Sequence, residues 1–214
     1  MITISAFKWV PPFAQGQVRD LRARWALEEA GLPYQARLID ADDQASTSYR
    51  ALQPFGQVPI FEEDGLALFE SGSIVLHVGE RSEMLLPSDE AARARAITWL
   101  FAALNTIEVV IQPLAEIDLF HAGKDWAKAR RPDAEKAVKR RLAELAARLG
   151  DRDYLEDRFT AGDLMMTTVL RILRHTDLVE AEPRLHAYKL RCEARPAFQR
   201  ALGDQLAAFE KPSQ

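Results

Sequence analysis

Two adjacent residues, Glu70 and Ser71, carry groups that suit the two ends of a zwitterion. Residues 66–69 before them form a short apolar run that predicts a strand, and apolar residues follow them at helical spacing. Ser71 therefore lies at the start of a predicted helix, where its hydroxyl and backbone N–H can bind a carboxylate. Glu70 can pair with an ammonium group, so the pair suits the zwitterionic end of an amino acid. The alternative is a capping serine beside a solvated glutamate.

A second candidate binding element is the segment Gln57-Val58-Pro59, which opens a predicted hairpin. Pro59 precedes an apolar strand residue, where a trans proline would remove a ladder hydrogen bond. A cis Val58–Pro59 bond would turn the chain sharply and leave the N–H and C=O of Val58 facing outward, where they can pair with an extended peptide. The alternative is an ordinary loop-to-strand junction with the usual trans bond.

The first eighty residues alternate strand and helix signals, and these elements must position both candidate segments. Gly31 and Pro33 give a helix stop, and the run Glu62-Glu63-Asp64-Gly65 predicts a tight hairpin because glycine tolerates positive φ. The predicted order is strand, helix, strand, helix, strand, strand, helix, centred on residues 2–6, 18–30, 34–38, 44–53, 58–61, 66–69 and 71–79. This order predicts an α/β, thioredoxin-like mixed sheet with helices on its faces.

From about Glu90 onward the strand signals vanish. Apolar residues three and four apart predict a long helix over 92–118 and further helices near 138–149, 164–172, 184–192 and 197–209. Residues 81–91 form the expected linker. We therefore expect a domain of residues 1–80, that linker, and an all-α domain of residues 92–214.

The composition argues against several classes of binding partner. A net charge of −4 and a pI near 5.7 argue against a nucleic-acid binder. No apolar run approaches the roughly 18–20 residues that span a bilayer, and the first residues lack the pattern of an export signal. We therefore expect a cytoplasmic protein with no membrane partner. One cysteine, Cys192, and four scattered histidines predict neither a disulfide nor a bound metal.

A folding signal stands in the second half, at Phe159-Thr160-Ala161-Gly162-Asp163-Leu164. It predicts a capping box in which Thr160 caps a helix and Asp163 reaches back to the Thr160 N–H, with Phe159 packing near Leu164 as a hydrophobic staple.

Four pieces of the first half together resemble the N-terminal domain of glutathione transferases. They are Pro12-Phe13-Ala14-Gln15 leading into Val18-Arg19, the run from Leu27 to Tyr34, Val58-Pro59, and Glu70-Ser71. The capping box resembles the start of the buried helix in that family's C-terminal domain.

The resemblance assigns roles to the candidate residues. It implies that glutathione binds at Gln57, Val58 and Pro59, with the backbone of Val58 pairing with the cysteinyl part and Pro59 cis. It also implies that Glu70 and Ser71 hold the γ-glutamyl end.

The function implied is transfer of the glutathione thiolate, as co-substrate, to a small hydrophobic electrophile. The long helix would supply the electrophile pocket through Trp99, Phe101, Asn105 and Glu108, although most aromatic residues on such a helix are core residues. The family usually forms homodimers, and Phe55 is an aromatic on an otherwise polar loop. The alternative function is a glutathione-binding or interaction protein without turnover. A thiol–disulfide reductase would need a cysteine at the end of the first strand, and there is none.

The group that activates the thiol is where the chain departs from the family. Aligned on Pro-Phe-Ala-Gln, the family's cysteine falls on Pro11 and its serine on Pro12 or Phe13, so no side-chain hydroxyl or thiol is available. The remaining donors are backbone N–H groups near Phe13 and Ala14, aided by the following helix N-terminus, and the indole N–H of Trp9. The alternative for Trp9 is a packing residue.

Overall fold

The computed structural model describes residues 1–210, which form two compact units. The first comprises residues 1–86 together with residues 195–210, and the second comprises residues 87–194. The predicted fold, an α/β thioredoxin-like part followed by helices, is confirmed. The order of elements also agrees, except that two short helices over 41–45 and 47–52 replace the single helix predicted over 44–53.

The first unit contains a mixed sheet and the helices that flank it. Its elements are β1 (Ile2–Phe7), a 3₁₀ turn (Pro12–Ala14), α1 (Asp20–Ala30), β2 (Tyr34–Ile39), α2 (Ala41–Ala45), α3 (Thr47–Leu52), β3 (Phe61–Glu63), β4 (Leu66–Leu68), α4 (Ser71–Gly79) and α10 (Pro196–Glu210).

The sheet has the strand order β2-β1-β3-β4, with β1 parallel to β2 and antiparallel to β3. Ile4 at the centre of β1 lies opposite Ala36 of β2 and Phe61 of β3, and both Ile4 and Phe61 are fully buried. The parallel pair needs a crossover, which α1 supplies before ending at Gly31 with a φ of 66°. The antiparallel pairing of β1 with β3 holds the end of β1 beside the segment before β3.

The hairpin turn is tighter than the sequence predicts. Only Asp64 and Gly65 form the turn, with φ of 48° and 86°, and Glu63 pairs with Leu66 across it. Two consecutive residues with positive φ match the twist of the flanking strands, so two residues suffice. The expectation that Glu62 and Glu63 belong to the turn and that the first strand covers residues 58–61 was wrong.

The C-terminal helix α10 belongs to the first unit by packing, whereas the sequence division groups it with the second domain. The rings of Phe198 and Trp25 meet edge to face at 4.8 Å, and Trp25 of α1 is fully buried. Arg195, just before α10, donates to both carboxylate oxygens of Glu29 at 2.6 and 2.8 Å. A helix joins the unit that buries its apolar face, and its position in the sequence does not reveal which unit that is.

The second unit consists of helices. They are α5 (Glu90–Ala102), a π-helical turn (Ala103–Glu108), α6 (Val109–Phe120), α7 (Asp125–Leu149), α8 (Ala161–Leu170), a 3₁₀ turn (Arg171–Leu173) and α9 (Pro183–Glu193).

One continuous helix runs from Glu90 to Phe120 through the π-helical turn, close to the predicted 92–118. Among the described residues this helix alone is long and apolar enough to cross a membrane, by length and composition only. About 33% of its most apolar window is buried, and its neighbours are α7 and α8. The expectation that no apolar run approaches the length of a membrane span missed this helix, because polar residues such as Thr98, Asn105 and Glu108 interrupt its apolar stretch.

Helix α8 is buried along its whole length, and its start is fixed by the predicted capping box. The Thr160 N–H donates to Asp163 Oδ2 at 2.9 Å, and the Thr160 hydroxyl accepts from the N–H of Gly162 at 3.2 Å. Asp163 also accepts from the Leu155 N–H at 2.9 Å and the Tyr188 hydroxyl at 3.0 Å. The carboxylate therefore joins α8 to the preceding loop and to α9, beyond the local cap that the sequence indicates.

Candidate functional site

The segment before β3 presents unpaired main-chain groups. The Val58–Pro59 peptide bond is cis, as the resemblance implies. The side chain of Val58 packs in a small core with Ile39, Tyr49 and Ile60. Within residues 1–210, neither the N–H nor the C=O of Val58 makes a hydrogen bond. Buried main-chain groups are nearly always paired, so this residue can accept an added rung of extended peptide.

The turn between β4 and α4 positions Glu70 and Ser71. Glu70 has a φ of 70° and lies directly before α4, whose first residue is Ser71. Positive φ is unusual for a glutamate, and such strained residues concentrate at functional sites. Ser71 is 6% exposed, whereas the side chain of Glu70 is exposed. The first N–H groups of α4 have no intrahelical partner, so they can receive a carboxylate.

The Ser71 hydroxyl does not cap α4, so the alternative of a capping serine was wrong. Helix α4 begins without a side-chain cap, and Ser71 Oγ instead accepts a hydrogen bond from Arg22 Nη1 at 3.2 Å. Arg22 lies on α1 and is only 4% exposed. Because guanidinium can only donate, the hydroxyl hydrogen of Ser71 stays available for another acceptor. A ligand carboxylate would fill that role.

Arg22 was missed by the sequence analysis. The available signal is that Arg22 falls among the buried residues of α1, between Leu21 and Trp25, where a solvated arginine is not expected. Nothing in the sequence shows that the partner is a serine forty-nine residues further on.

The candidates for thiol activation, Trp9, Phe13 and Ala14, differ in exposure and in hydrogen bonding. Trp9 follows β1 and is 60% exposed, and Phe13 lies in the 3₁₀ turn and is 41% exposed. The N–H of Ala14 donates to the Pro11 carbonyl at 2.8 Å, so the expectation that it is a free donor was wrong. Helix α1 begins at Asp20, two residues beyond the predicted start at Val18.

Next to Trp9, Lys8 is already committed to carboxylates. Its Nζ lies 2.7 Å from Asp40 Oδ2 and 3.5 Å from Asp43 Oδ2. The hydrogen bond to Asp40 is the main cause that raises the pKa of Lys8 above its ordinary value. Lys8 therefore stays protonated and cannot accept the proton of a thiol.

The four residues predicted to line an electrophile pocket lie in α5 and the π-helical turn of the second unit. Phe101 and Asn105 are exposed, and Glu108 is 6% exposed. Trp99 is half-buried, and its indole N–H donates to Glu156 Oε1 at 2.8 Å. These contacts give Trp99 a packing role within the helical unit. The pocket assignment stays a proposal.

A separate recess of about 490 Å³ lies between α6 and α7. Its walls include Val109, Pro113, Ile117, Trp126 and Arg130. None of the four predicted pocket residues lines this recess. Among the described residues, no group of histidine, cysteine and carboxylate side chains could hold a metal ion.

Comparison with known proteins identifies the family. The profile "Glutathione S-transferase, N-terminal domain" matches residues 14–80, and "Glutathione S-transferase, C-terminal domain" matches residues 108–196. A glutathione S-transferase of Hyoscyamus muticus is 30% identical over 77% of this chain and 82% of its own length.

Solved structures agree with that match. A glutathione transferase of Burkholderia graminis, with two glutathione molecules bound per subunit, has a TM-score of 0.81 at 25% identity. The similarity covers 94% of this chain and 87% of that chain. The theta class enzyme of Xanthomonas axonopodis pv. citri, with glutathione bound, has a TM-score of 0.77 at 28% identity, covering 94% and 96% of the two chains. The chain belongs to the glutathione S-transferase family.

Proposed function

We propose that this protein transfers the glutathione thiolate to a small hydrophobic electrophile. The observation that carries the proposal is the unpaired N–H and C=O of Val58, held on a buried core and free for an extended peptide. The cysteinyl residue of glutathione supplies one C=O and one N–H, so it completes that rung.

The γ-glutamyl end of glutathione belongs at Glu70 and Ser71. Its carboxylate accepts from the Ser71 hydroxyl and the first N–H groups of α4, while its ammonium group pairs with Glu70. The bond from Arg22 to Ser71 Oγ supports this orientation, because it leaves the hydroxyl hydrogen for the ligand. Gln57 and Pro59 flank the central rung.

Activation of the sulfur requires a donor, since a free thiol has a pKa of about 8.5. The proposed donors are the indole N–H of Trp9 and the main-chain N–H of Phe13. Both stabilise a thiolate without removing the proton, so the proton passes to solvent. With a model aryl chloride, the thiolate sulfur forms the new bond to the ring carbon and chloride leaves with the bonding electrons.

The remaining parts of the proposal concern the surroundings of this site. Trp99, Phe101, Asn105 and Glu108 are the proposed electrophile residues, and the division into domains 1–80 and 92–214 is the proposed functional division. We also propose a cytoplasmic homodimer. Phe55 supports the dimer, because it is 64% exposed, with its ring edge to face against that of Phe69 at a centroid distance of 6.1 Å. Light scattering should give about twice the chain mass of 24.1 kDa.

Two measurements on the same preparations test the function. Calorimetry should show glutathione binding, and steady-state assays with 1-chloro-2,4-dinitrobenzene should show conjugation. Replacing Ser71 with alanine should weaken binding about tenfold, because the γ-glutamyl carboxylate loses a charge-assisted hydrogen bond. The matched control is Ser48→Ala, which removes an exposed hydroxyl bonded only to a neighbouring serine. Binding without conjugation would favour the alternative of a non-catalytic glutathione-binding protein.

A further inference from the structure

A chain of hydrogen bonds through the buried residues Ser5 and Tyr49 lies behind the proposed glutathione-binding segment. The hydroxyl of Tyr49, on α3, donates to the Gln57 carbonyl at 2.7 Å. Ser5 Oγ, on β1, lies 2.9 Å from the Tyr49 hydroxyl oxygen, and the N–H of Ile60 donates to Ser5 Oγ at 2.7 Å. The chain therefore starts and ends on the main chain on either side of Val58.

The direction of each bond follows from counting hydrogens. Tyr49 has one hydroxyl hydrogen, and the Gln57 carbonyl can only accept it. Ser5 must then be the donor in its bond to Tyr49, which leaves the Ser5 oxygen to accept from Ile60. All the hydrogens run one way, from Ile60 through Ser5 and Tyr49 to Gln57. Loss of either hydroxyl breaks the chain.

The environment of these two hydroxyls makes the bonds strong. Ser5 is 0% and Tyr49 6% exposed, and the Tyr49 ring packs with Val58 and Ile60. Polar networks in such a dry setting are stronger than in water and hold their members in one arrangement. The Ser5 N–H also donates to the Ile60 carbonyl at 2.9 Å, so Ser5 holds Ile60 through its backbone and its side chain.

We propose that Tyr49 and Ser5 are positioning residues for glutathione, because their hydroxyls fix the main chain on both sides of Val58. The inference rests on the proposed function. Neither residue touches the ligand in this scheme. They act by keeping the N–H and C=O of Val58 in the binding arrangement, and apparent affinity falls in proportion to the fraction of molecules in that arrangement.

The test is Tyr49→Phe, which keeps the buried ring and removes only the hydroxyl. We expect the dissociation constant for glutathione to rise about fivefold and KM for glutathione to rise with it, while kcat at saturating glutathione is unchanged. Hydrogen exchange at the Ile60 amide should accelerate in the free protein. Ser5→Ala should act in the same way, and the double variant should be no worse than the more affected single variant, because the two hydroxyls form one chain.

The matched control is Tyr188→Phe, which removes another buried tyrosine hydroxyl, bonded to Asp163 in the helical unit. That variant should lose thermal stability without any change in glutathione affinity. Tyr49→Phe binding glutathione as tightly as the wild type would overturn the inference alone. So would equal weakening by Tyr188→Phe. Wild-type protein that fails to bind glutathione would overturn the proposed function, and the inference with it.

Discussion

Replacing Asp163 with alanine tests whether this one carboxylate holds the start of α8 in place. Asp163 is fully buried and accepts from the N–H groups of Thr160 and Leu155 and from the Tyr188 hydroxyl. Alanine leaves two main-chain N–H groups buried without an acceptor, at about 1–3 kcal/mol each. With some relaxation of the Tyr188 hydroxyl, we expect a loss of about 3–5 kcal/mol, which lowers Tm by about 6–20 °C in a chain of this size.

The matched control is Asp89→Ala. Asp89 caps α5 with a single bond to the Ala92 N–H at 2.8 Å, and its side chain is exposed. Loss of an exposed cap is worth about 1 kcal/mol. Differential scanning calorimetry of both variants gives the comparison. If Asp163→Ala lowers Tm no more than Asp89→Ala does, the buried carboxylate is not the anchor that its contacts indicate.

The same variant has a pH signature. Burial raises the pKa of Asp163 from 3.8 to about 6, against the hydrogen bonds that it accepts. The folded protein therefore binds this proton more tightly than the unfolded chain does. The stabilisation that comes from this bound proton is full below about pH 3.8 and declines as the pH rises through about 6, and it adds to that of the accepted hydrogen bonds. The Tm difference between wild type and Asp163→Ala should widen from pH 7.5 to pH 5, relative to the Asp89→Ala baseline.

Three further predictions concern α8, the γ-glutamyl site and the thiol. Gly162→Ala should destabilise the fold by about 1–3 kcal/mol, because its Cβ would lie 2.5 Å from Trp99 Cβ. The measurement is urea unfolding, and an unchanged midpoint would refute that close approach. Arg22→Gln should weaken glutathione binding about fivefold per folded molecule by calorimetry, since the Ser71 hydroxyl loses its fixed orientation; affinity equal to wild type would show that Ser71 orients itself. Trp9→Phe should raise the thiol pKa of bound glutathione if the indole N–H is the donor. This pKa is measured by ultraviolet absorbance of the thiolate, and an unchanged value would assign the role to the main chain.

Local signals explain what the sequence predicts well. Gly31 ends α1 with a positive φ, and the Thr160–Asp163 box starts α8, because both effects depend on residues within one helical turn. The hairpin was located for the same reason, although the number of turn residues was not. The candidate site at Val58 and Ser71 was found through four weak patterns in one order.

The contacts that the sequence could not predict join residues far apart in the chain. Arg22 binds Ser71 across 49 positions, and Tyr49 binds Ser5 across 44. Glu70 has a positive φ, which glutamate does not favour, so the local sequence does not predict this backbone conformation. The packing of α10 against α1 is likewise a contact between residues far apart in the chain.

The central claim is that the main chain of Val58 and the hydroxyl of Ser71 hold glutathione. A crystal structure of the protein with glutathione bound tests it most directly. We predict that the cysteinyl N–H and C=O pair with the C=O and N–H of Val58, with the γ-glutamyl carboxylate within hydrogen-bond distance of Ser71 Oγ. Glutathione bound elsewhere, with the main-chain groups of Val58 still unpaired, would contradict the account.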